Sequence, residues 1–343
     1  MKRLLVLLLA VAMILSMAAC GGAKQAEYKL GMGIDVSTAS SKAGTAQVDA
    51  TIATVILDKD GKIVDCKLDV AQSKLGIAEG ALEEDATDKA FKTKQELKED
   101  YGMKKASGIA KEWYEQAQFL ESYVVGKTAD EVAAIATVEK NGHPAVPADA
   151  DLTAGCTMDI GAFKTAIAKA CADDQAKTFK ASEMKLGLAA LTAVDASSKD
   201  ADDENDGSAN IYSTFSAVVV DANGKTLAAI VDAIQPKIGF DADGEITEAK
   251  YTDTKRVLKG DYGMKDTSSK IGKIEGGAEW FEQAKFLTDY VVGKTAADIT
   301  AIATVKKDDS HLAVPADDDL LAGCTIDIGD YKEAMVKAIG LAD

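Results

Sequence analysis

The sequence predicts an α+β fold made of two tandem copies of one unit, and three observations predict it. Segments that alternate apolar and polar residues around a DG or NG turn have the two-residue period of β-hairpins. Other segments place apolar residues at i, i+4, i+7 and i+11, one face of a helix. Both kinds occur twice, in the same order, at a period of about 160 residues, too long for a solenoid. "EWYEQAQFLESYVVGKT" (Glu112 to Thr128) matches "EWFEQAKFLTDYVVGKT" (Glu279 to Thr295) at 13 of 17 positions. "DLTAGCTMDI" (Asp151 to Ile160) returns as "DLLAGCTIDI" (Asp319 to Ile328).

The elements follow in chain order. "MKRLLVLLLAVAMILSMAAC" opens with Lys2 and Arg3, runs apolar from Leu4 to Leu15 and ends in small residues at Cys20. The apolar run is short for a membrane span, and the order basic, apolar, small is that of a secretory signal over residues 1–20. "MAAC" resembles a bacterial lipobox, with Met17 where Leu is usual. That resemblance implies cleavage, a lipidated Cys20, and a body anchored by its N-terminal lipid at the cell surface, on the outer face of the cytoplasmic membrane.

The first unit is expected over residues 28–171 and the second over 184–342. "ATIATVILDKDGKIVDCKLD" reads as a hairpin, and the second unit has its counterpart around "ANGK". The charged stretch from Ala86 to Lys98 is helix-compatible. Trp113, Ala117, Leu120 and Val124 share one helical face. Gly126 is placed as a C-cap, and Thr128 starts a helix through "TADEVAAIA". In "GAFKTAIAKA" the residues Phe163, Ala166, Ile167 and Ala170 form an apolar stripe, with Tyr331, Ala334, Met335 and Ala338 as its twin. The repeated phrase therefore falls in a loop just ahead of a closing helix. The polar segment "ADDQAKTFKASE" joins the units.

Composition narrows the function. A formal charge of −17 argues against nucleic-acid backbones and anionic lipid surfaces as partners. The five cysteines include no CxxC pair, so zinc ribbons, thioredoxin-type motifs and c-type haem have no support. Cys156 and Cys324 are repeat-equivalent. Cys66 and Cys171 have no twins, and a disulfide between them is open, since one ends a hairpin strand and the other the closing helix. His143 and His311, one per unit, are too few for a His-based metal site. The acidic loop Ser197 to Asn210 lacks the spacing and closing Glu of an EF-hand and reads as solvated.

The repeated phrase is the main candidate site. Gly155 permits close backbone approach or positive φ. Ala154 and Cys156 are small enough for a large group to lie against the loop. Thr157 brings a hydroxyl, Asp159 suits an N-cap, and free N–H groups at a helix start favour a phosphate. An ordinary helix entry with a glycine turn is the plain alternative, and duplication copies structure as well as function.

The phrase resembles the attachment motif of the FMN-binding domain family, which reads Asp, two variable residues, Ser/Thr or a small residue, Gly, Ala, Thr. Asp151, Ala154, Gly155, Cys156 and Thr157 match that order and spacing, and Asp319, Ala322, Gly323, Cys324 and Thr325 match it again. The resemblance covers nearly the whole chain after the signal. It implies two FMN-binding-like domains, with FMN joined covalently to Thr157 and Thr325 by a separate Mg-dependent flavin transferase. Cys156 and Cys324 stand where Ala is usual. Asp159 and Asp327 stand where Thr or Ser is usual, which brings negative charge near a phosphate. Trp113 and Trp280, with Tyr114 and Phe281, have the shape to stack on a flavin, but their helical face suits a core. His143 and His311 lie close enough in sequence to bond a flavin, but suit a surface loop.

Signal, tandem repeat and motif together resemble the flavin-bearing lipoproteins of Gram-positive extracellular electron transfer. That implies a redox carrier rather than a stand-alone enzyme. It would take electrons from a membrane quinol-linked donor and pass them to extracellular acceptors such as flavin shuttles or ferric iron. A second reading is a surface lipoprotein that binds a solute or cell-wall component with no redox role. A third keeps the fold without the cofactor, as a spacer or adhesin.

Overall fold

The structure, a computed structural model, describes residues 25–89 and 91–343; the expected signal peptide and Cys20 lie outside them. Long β-branched and alanine-rich runs make the first strands, β1 (Ala26–Ser37), β2 (Thr45–Leu57) and β3 (Ile63–Ala78), followed by the short β4 (Ala81–Leu82). At the β2–β3 turn, Asp58 Oδ1 accepts from the backbone N–H of Asp60 and of Lys62, both at 2.9 Å. Next come α1 (Lys94–Leu97), α2 (Trp113–Val124) and α3 (Ala129–Ala133). A small hairpin, β5 (Thr137–Lys140) and β6 (His143–Pro147), leads to α4 (Ala150–Thr153), α5 (Gly161–Cys171) and β7 (Lys177–Ala181).

The second half repeats this order with β8 (Lys185–Val194), β9 (Gly207–Val220), β10 (Thr226–Ile234), β11 (Lys237–Phe240) and β12 (Ile246–Lys250). Its helices begin with α6 (Lys255–Leu258), α7 (Lys265–Ile271), α8 (Trp280–Tyr290) and α9 (Ala296–Thr300). The chain closes with β13 (Thr304–Val305), β14 (Val314–Pro315), α10 (Asp318–Leu321) and α11 (Gly329–Gly340).

The result is α+β, with antiparallel sheets. The first sheet has the order β4-β3-β2-β1-β7; in the second, β9 lies between β8 and the broken strand β10–β11, with β12 outside. Registers correspond between halves. Gly31 faces Val55 as Gly187 faces Val218, and Thr51 faces Val70 as Thr214 faces Ala233.

Strand alternation sends side chains to two cores per sheet. Val48, Ala50, Ile52 and Ile56 of β2 meet Ile211, Phe215, Ala217 and Val219 of β9 in one core shared by both halves. Ala53, Val55 and Leu57 face α2 and α5, against Trp113, Leu120, Phe163 and Ile167. Val218 and Val220 face α8 and α11, against Trp280, Leu287, Tyr331 and Met335. The layers therefore run helices, sheet, sheet, helices. Each large side chain buried in the central core contributes about 1.5–3 kcal/mol by leaving water. Arg256 spans the halves with Asp173, Nη2 to the two carboxylate oxygens at 2.9 and 3.0 Å, and both side chains are buried.

Four local expectations are revised. The stretch Ala86 to Lys98 holds a single 3₁₀ turn (Ala86–Asp88) and the one-turn α1. Thr93 and Glu96 form a reciprocal capping box that starts a new helix at Lys94, and Lys98 at φ 46° ends it. The helix opened by Thr128 stops at Ala133. The polar connector carries β7, paired with β1 and with Phe179 buried in the shared core. The repeated phrase begins on α4 and α10 rather than in a loop, because Asp149 and Asp317 cap those helices.

Candidate functional site

α5 lies on β1 through glycine. A Cβ on Gly31 would stand 2.1 Å from Ala170 O, and one on Gly187 would stand 1.9 Å from Ala338 O of α11. This contact fixes the closing helix, and so the phrase before it. Within the phrase, Gly155 and Gly323 are needed for close approach rather than for positive φ. A Cβ at either would lie 2.2 Å from a ring atom of Phe119 or Phe286 respectively. Cys156 and Cys324 are fully buried, and burial pushes their thiols up to about 11 and about 12, so they pack as small neutral residues. Ala154 and Ala322 are the C-caps of α4 and α10. Asp151 and Asp319 lie exposed on those helices and line neither cleft described below.

Thr157 and Thr325 are gripped by glutamines. α2 and α8 start on reciprocal capping boxes, Glu112 with Glu115 and Glu279 with Glu282, which set Gln116 and Gln283 in the first turn. Gln116 Oε1 accepts from Thr157 N at 2.9 Å and from its Oγ1 at 3.3 Å. Gln283 Oε1 accepts from Thr325 N at 2.8 Å and from its Oγ1 at 3.1 Å. The amide ends are held too: Gln116 Nε2 donates to Ser107 Oγ at 3.1 Å, and Gln283 Nε2 to Ala278 O at 3.0 Å. A carboxamide orients a hydroxyl and takes no proton from it.

Each threonine opens on a cleft. That of Thr157 has a volume of about 740 Å³ and is lined by Lys94, Tyr101, Trp113 and Phe163. That of Thr325 has about 720 Å³ and is lined by the equivalent Lys255, Tyr262, Trp280 and Tyr331. Both volumes suit a cofactor-sized ligand. The lysines sit over aromatic faces, Lys94 Nζ at 4.9 Å from the Tyr101 centroid and Lys255 Nζ at 4.9 Å from that of Tyr262. Burial brings Lys255 down to about 8. Besides Phe163 against Tyr331, the wall residues differ at a position that faces them. The first cleft has Asp49, accepting from Gln47 and Gln72 at 2.6 Å each; the second has Tyr212, its hydroxyl 2.6 Å from that of Tyr331.

Asp159 and Asp327 do not present free carboxylates. Asp159 accepts from Gly161 N at 2.8 Å and Ala145 N at 2.9 Å; Asp327 accepts from Gly329 N at 2.9 Å and Ala313 N at 2.8 Å. Ile160 and Ile328 hold the N-cap positions themselves, and each aspartate instead ties the helix start to the neighbouring strand segment. Trp113 and Trp280 are buried at 3% and 1% exposure, in the core as their helical face implied. His143 and His311 are exposed on the cleft rims. Cys66 and Cys171 are free thiols in the same core. Among the described residues no three His, Cys, Asp or Glu side chains gather as a metal site, the Ser197 to Asn210 loop included.

Sequence reasoning missed Gln116 and Gln283, Lys94 and Lys255, and Phe119 and Phe286. The signal was present: each pair is identical at equivalent positions in otherwise drifting copies.

No protein-family model matches the chain, and no solved structure does. Over 96 residues the chain is 34% identical to chlorophenol reductase of Desulfitobacterium hafniense, a match that covers 25% of this chain and 29% of that protein.

Proposed function

We propose that the protein is an extracytoplasmic electron carrier of two tandem FMN-binding-like domains, with FMN bound covalently through a phosphoester to Thr157 and to Thr325. In this reading Cys20 anchors it by lipid, a flavin transferase loads it, a membrane quinol-linked donor reduces it, and flavin shuttles or ferric iron accept its electrons. The observation that carries the reading is the matched geometry of two glutamine-held threonines, each on the wall of a cleft of about 720 to 740 Å³.

The residues present fit the group. The threonine hydroxyl is oriented by a carbonyl that leaves its oxygen free to form an ester. Lys94 and Lys255 bring positive charge to clefts that would receive an anionic cofactor. The aspartates that depart from the motif keep their charge but have both oxygens engaged by backbone N–H groups, which turns them toward the helix start. FMN would supply the redox chemistry, and the chain would supply attachment, aromatic walls and charge. The matched relative is named a reductase, which leans toward a redox role; its action on chlorophenols belongs to that protein.

Mass spectrometry of the chain co-expressed with a flavin transferase tests this. Two FMN additions are expected, on the peptides holding Thr157 and Thr325, each lost in Thr157→Ala or Thr325→Ala. An unmodified chain, beside a control substrate that is modified, overturns the reading and leaves the solute-binding lipoprotein in its place.

A further inference from the structure

The halves enclose the same space differently. Gln47, Asp49, Gln72, Lys94 and Tyr101 all line the cleft of Thr157. Their equivalents Asn210, Tyr212, Gln235, Lys255 and Tyr262 line an adjoining pocket of about 490 Å³, and the last four also line the cleft of Thr325. Tyr212 lines both, and its hydroxyl is 2.6 Å from that of Tyr331, which lines the cleft alone. Asp49 and Phe163 occupy those two places in the first half, and Phe163 has no hydroxyl to bridge with. Pro236 adds to the difference. It ends β10 where Ser73 lets β3 run on, so the strand edge beside Asn210 and Gln235 is broken.

The lining has a definite chemistry. Tyr212, Tyr251 and Tyr262 offer rings. Tyr251 is 66% exposed and held at φ 58°, a strained conformation for a bulky residue that persists only where its surroundings impose it. Asn210 Oδ1 is buried without a hydrogen-bond partner, an acceptor that calls for a donor. Asp195, Asp253 and Asp261 outnumber Lys237 and Lys255 in the lining, so the pocket is close to balanced in charge and favours an uncharged ligand over an anion.

We propose that this pocket binds a small, uncharged, planar aromatic bearing hydroxyl groups, of the phenol or hydroquinone class, with its ring among the tyrosines and a hydroxyl donating to Asn210. The binding stands on the pocket alone; its role rests on the carrier reading. A hydroquinone bound there would give up two electrons and two protons as it becomes a quinone, and FMN, if attached at Thr325, would be the acceptor of both.

Anaerobic calorimetric titration of the flavin-free chain with para-hydroquinone is the test. One site per chain is expected, weakened about tenfold by Tyr251→Ala and by Asn210→Leu, and at least about tenfold tighter than benzoate. Tyr251 is exposed, so its variant folds even where Asn210→Leu does not. No binding, equal affinity in the Tyr251→Ala chain, or equal affinity for benzoate overturns the proposal. Because flavin is absent from the titration, binding without flavinylation in the mass-spectrometric test overturns only the carrier reading. Flavinylation without hydroquinone binding overturns only this pocket.

Discussion

The two halves hold their threonines alike and surround them differently. Around Thr157 the nearby core carries acids: Asp49 in the cleft, Asp69 under α1, and Glu121 on α2. At the equivalent places the second half has Tyr212, an Asp232 whose charge is offset by Arg256, and Thr288. Backbone contacts, by contrast, repeat: the strand registers, the capping boxes and the glycine under the closing helix. The halves agree in what positions the threonine and differ in what sets the charge near it.

The largest effect tests the repeated contact. Gly33 repeats the role of Gly31 in the first half, since a Cβ there would lie 2.2 Å from Ala166 O. The second half already has a side chain at that position, the buried Ala189. α5 therefore lies on two glycines and α11 on one. Gly33→Ala must push a helix backbone off a strand and should cost about 3 kcal/mol in urea unfolding, the upper range of overpacking. Ala189→Gly should cost only about 1 kcal/mol, for backbone entropy and a lost methyl. Equal costs would mean that the two helices sit alike and the glycine count is incidental.

A pH dependence comes next. Glu121 accepts from Leu68 N at 2.7 Å, and burial raises its carboxyl to about 7; burial likewise raises Asp69 to about 6. Between the unfolded values near 4 and these folded values, the native state binds more protons than the unfolded one. Stability is therefore highest below that window and falls as pH rises through it. Glu121→Thr copies Thr288, whose hydroxyl is satisfied within its own helix by Ala284 O at 3.1 Å. The variant should flatten the fall between about pH 4 and pH 7 by about 3 kcal/mol. Thr288→Glu should steepen it. In the second half the sign reverses. Lys255, lowered to about 8, costs stability below that pH and stops doing so as pH rises toward about 10.4. An unchanged pH profile in Glu121→Thr would place the slope elsewhere.

Much of the fold was legible because its periods are local. The hairpin at Asp58, the helix faces at Trp113 and Trp280, and the stripes at Phe163 and Tyr331 depend on spacing within one element, and each appears as read. The capping box at Thr93 was missed, because charge composition hides a helix start inside a helix-compatible run. β7 was missed because its polar residues flank one buried Phe179, and its strand partner lies far away in sequence. In the candidate site, the motif pointed to the threonines, and the structure places each beside a cleft. Gln116 and Gln283 were not, since a hydrogen bond across more than forty residues leaves no local period.

The smallest effect concerns the tyrosine pair where pocket and cleft adjoin. Tyr331→Phe gives the second half the residue that Phe163 provides in the first. It removes one hydroxyl from the Tyr212 pair and adds no cavity, so a loss of about 1 kcal/mol is expected in urea unfolding. Tyr212 tolerates this because it is only half-buried and lines the cleft, where water can replace the lost partner. Burial holds both phenols above their usual range, so neither becomes charged near neutral pH to compound the loss. In the first half no comparable bond exists to break, because Asp49 is already satisfied by two carboxamides. A loss near 3 kcal/mol would instead show that Tyr212 is left unsatisfied in the core, and that the pair supports the fold rather than shaping a cleft. A loss near 1 kcal/mol together with altered hydroquinone affinity would separate the two roles: the sheet and helix contacts keep the half folded, and the tyrosine pair shapes what it binds.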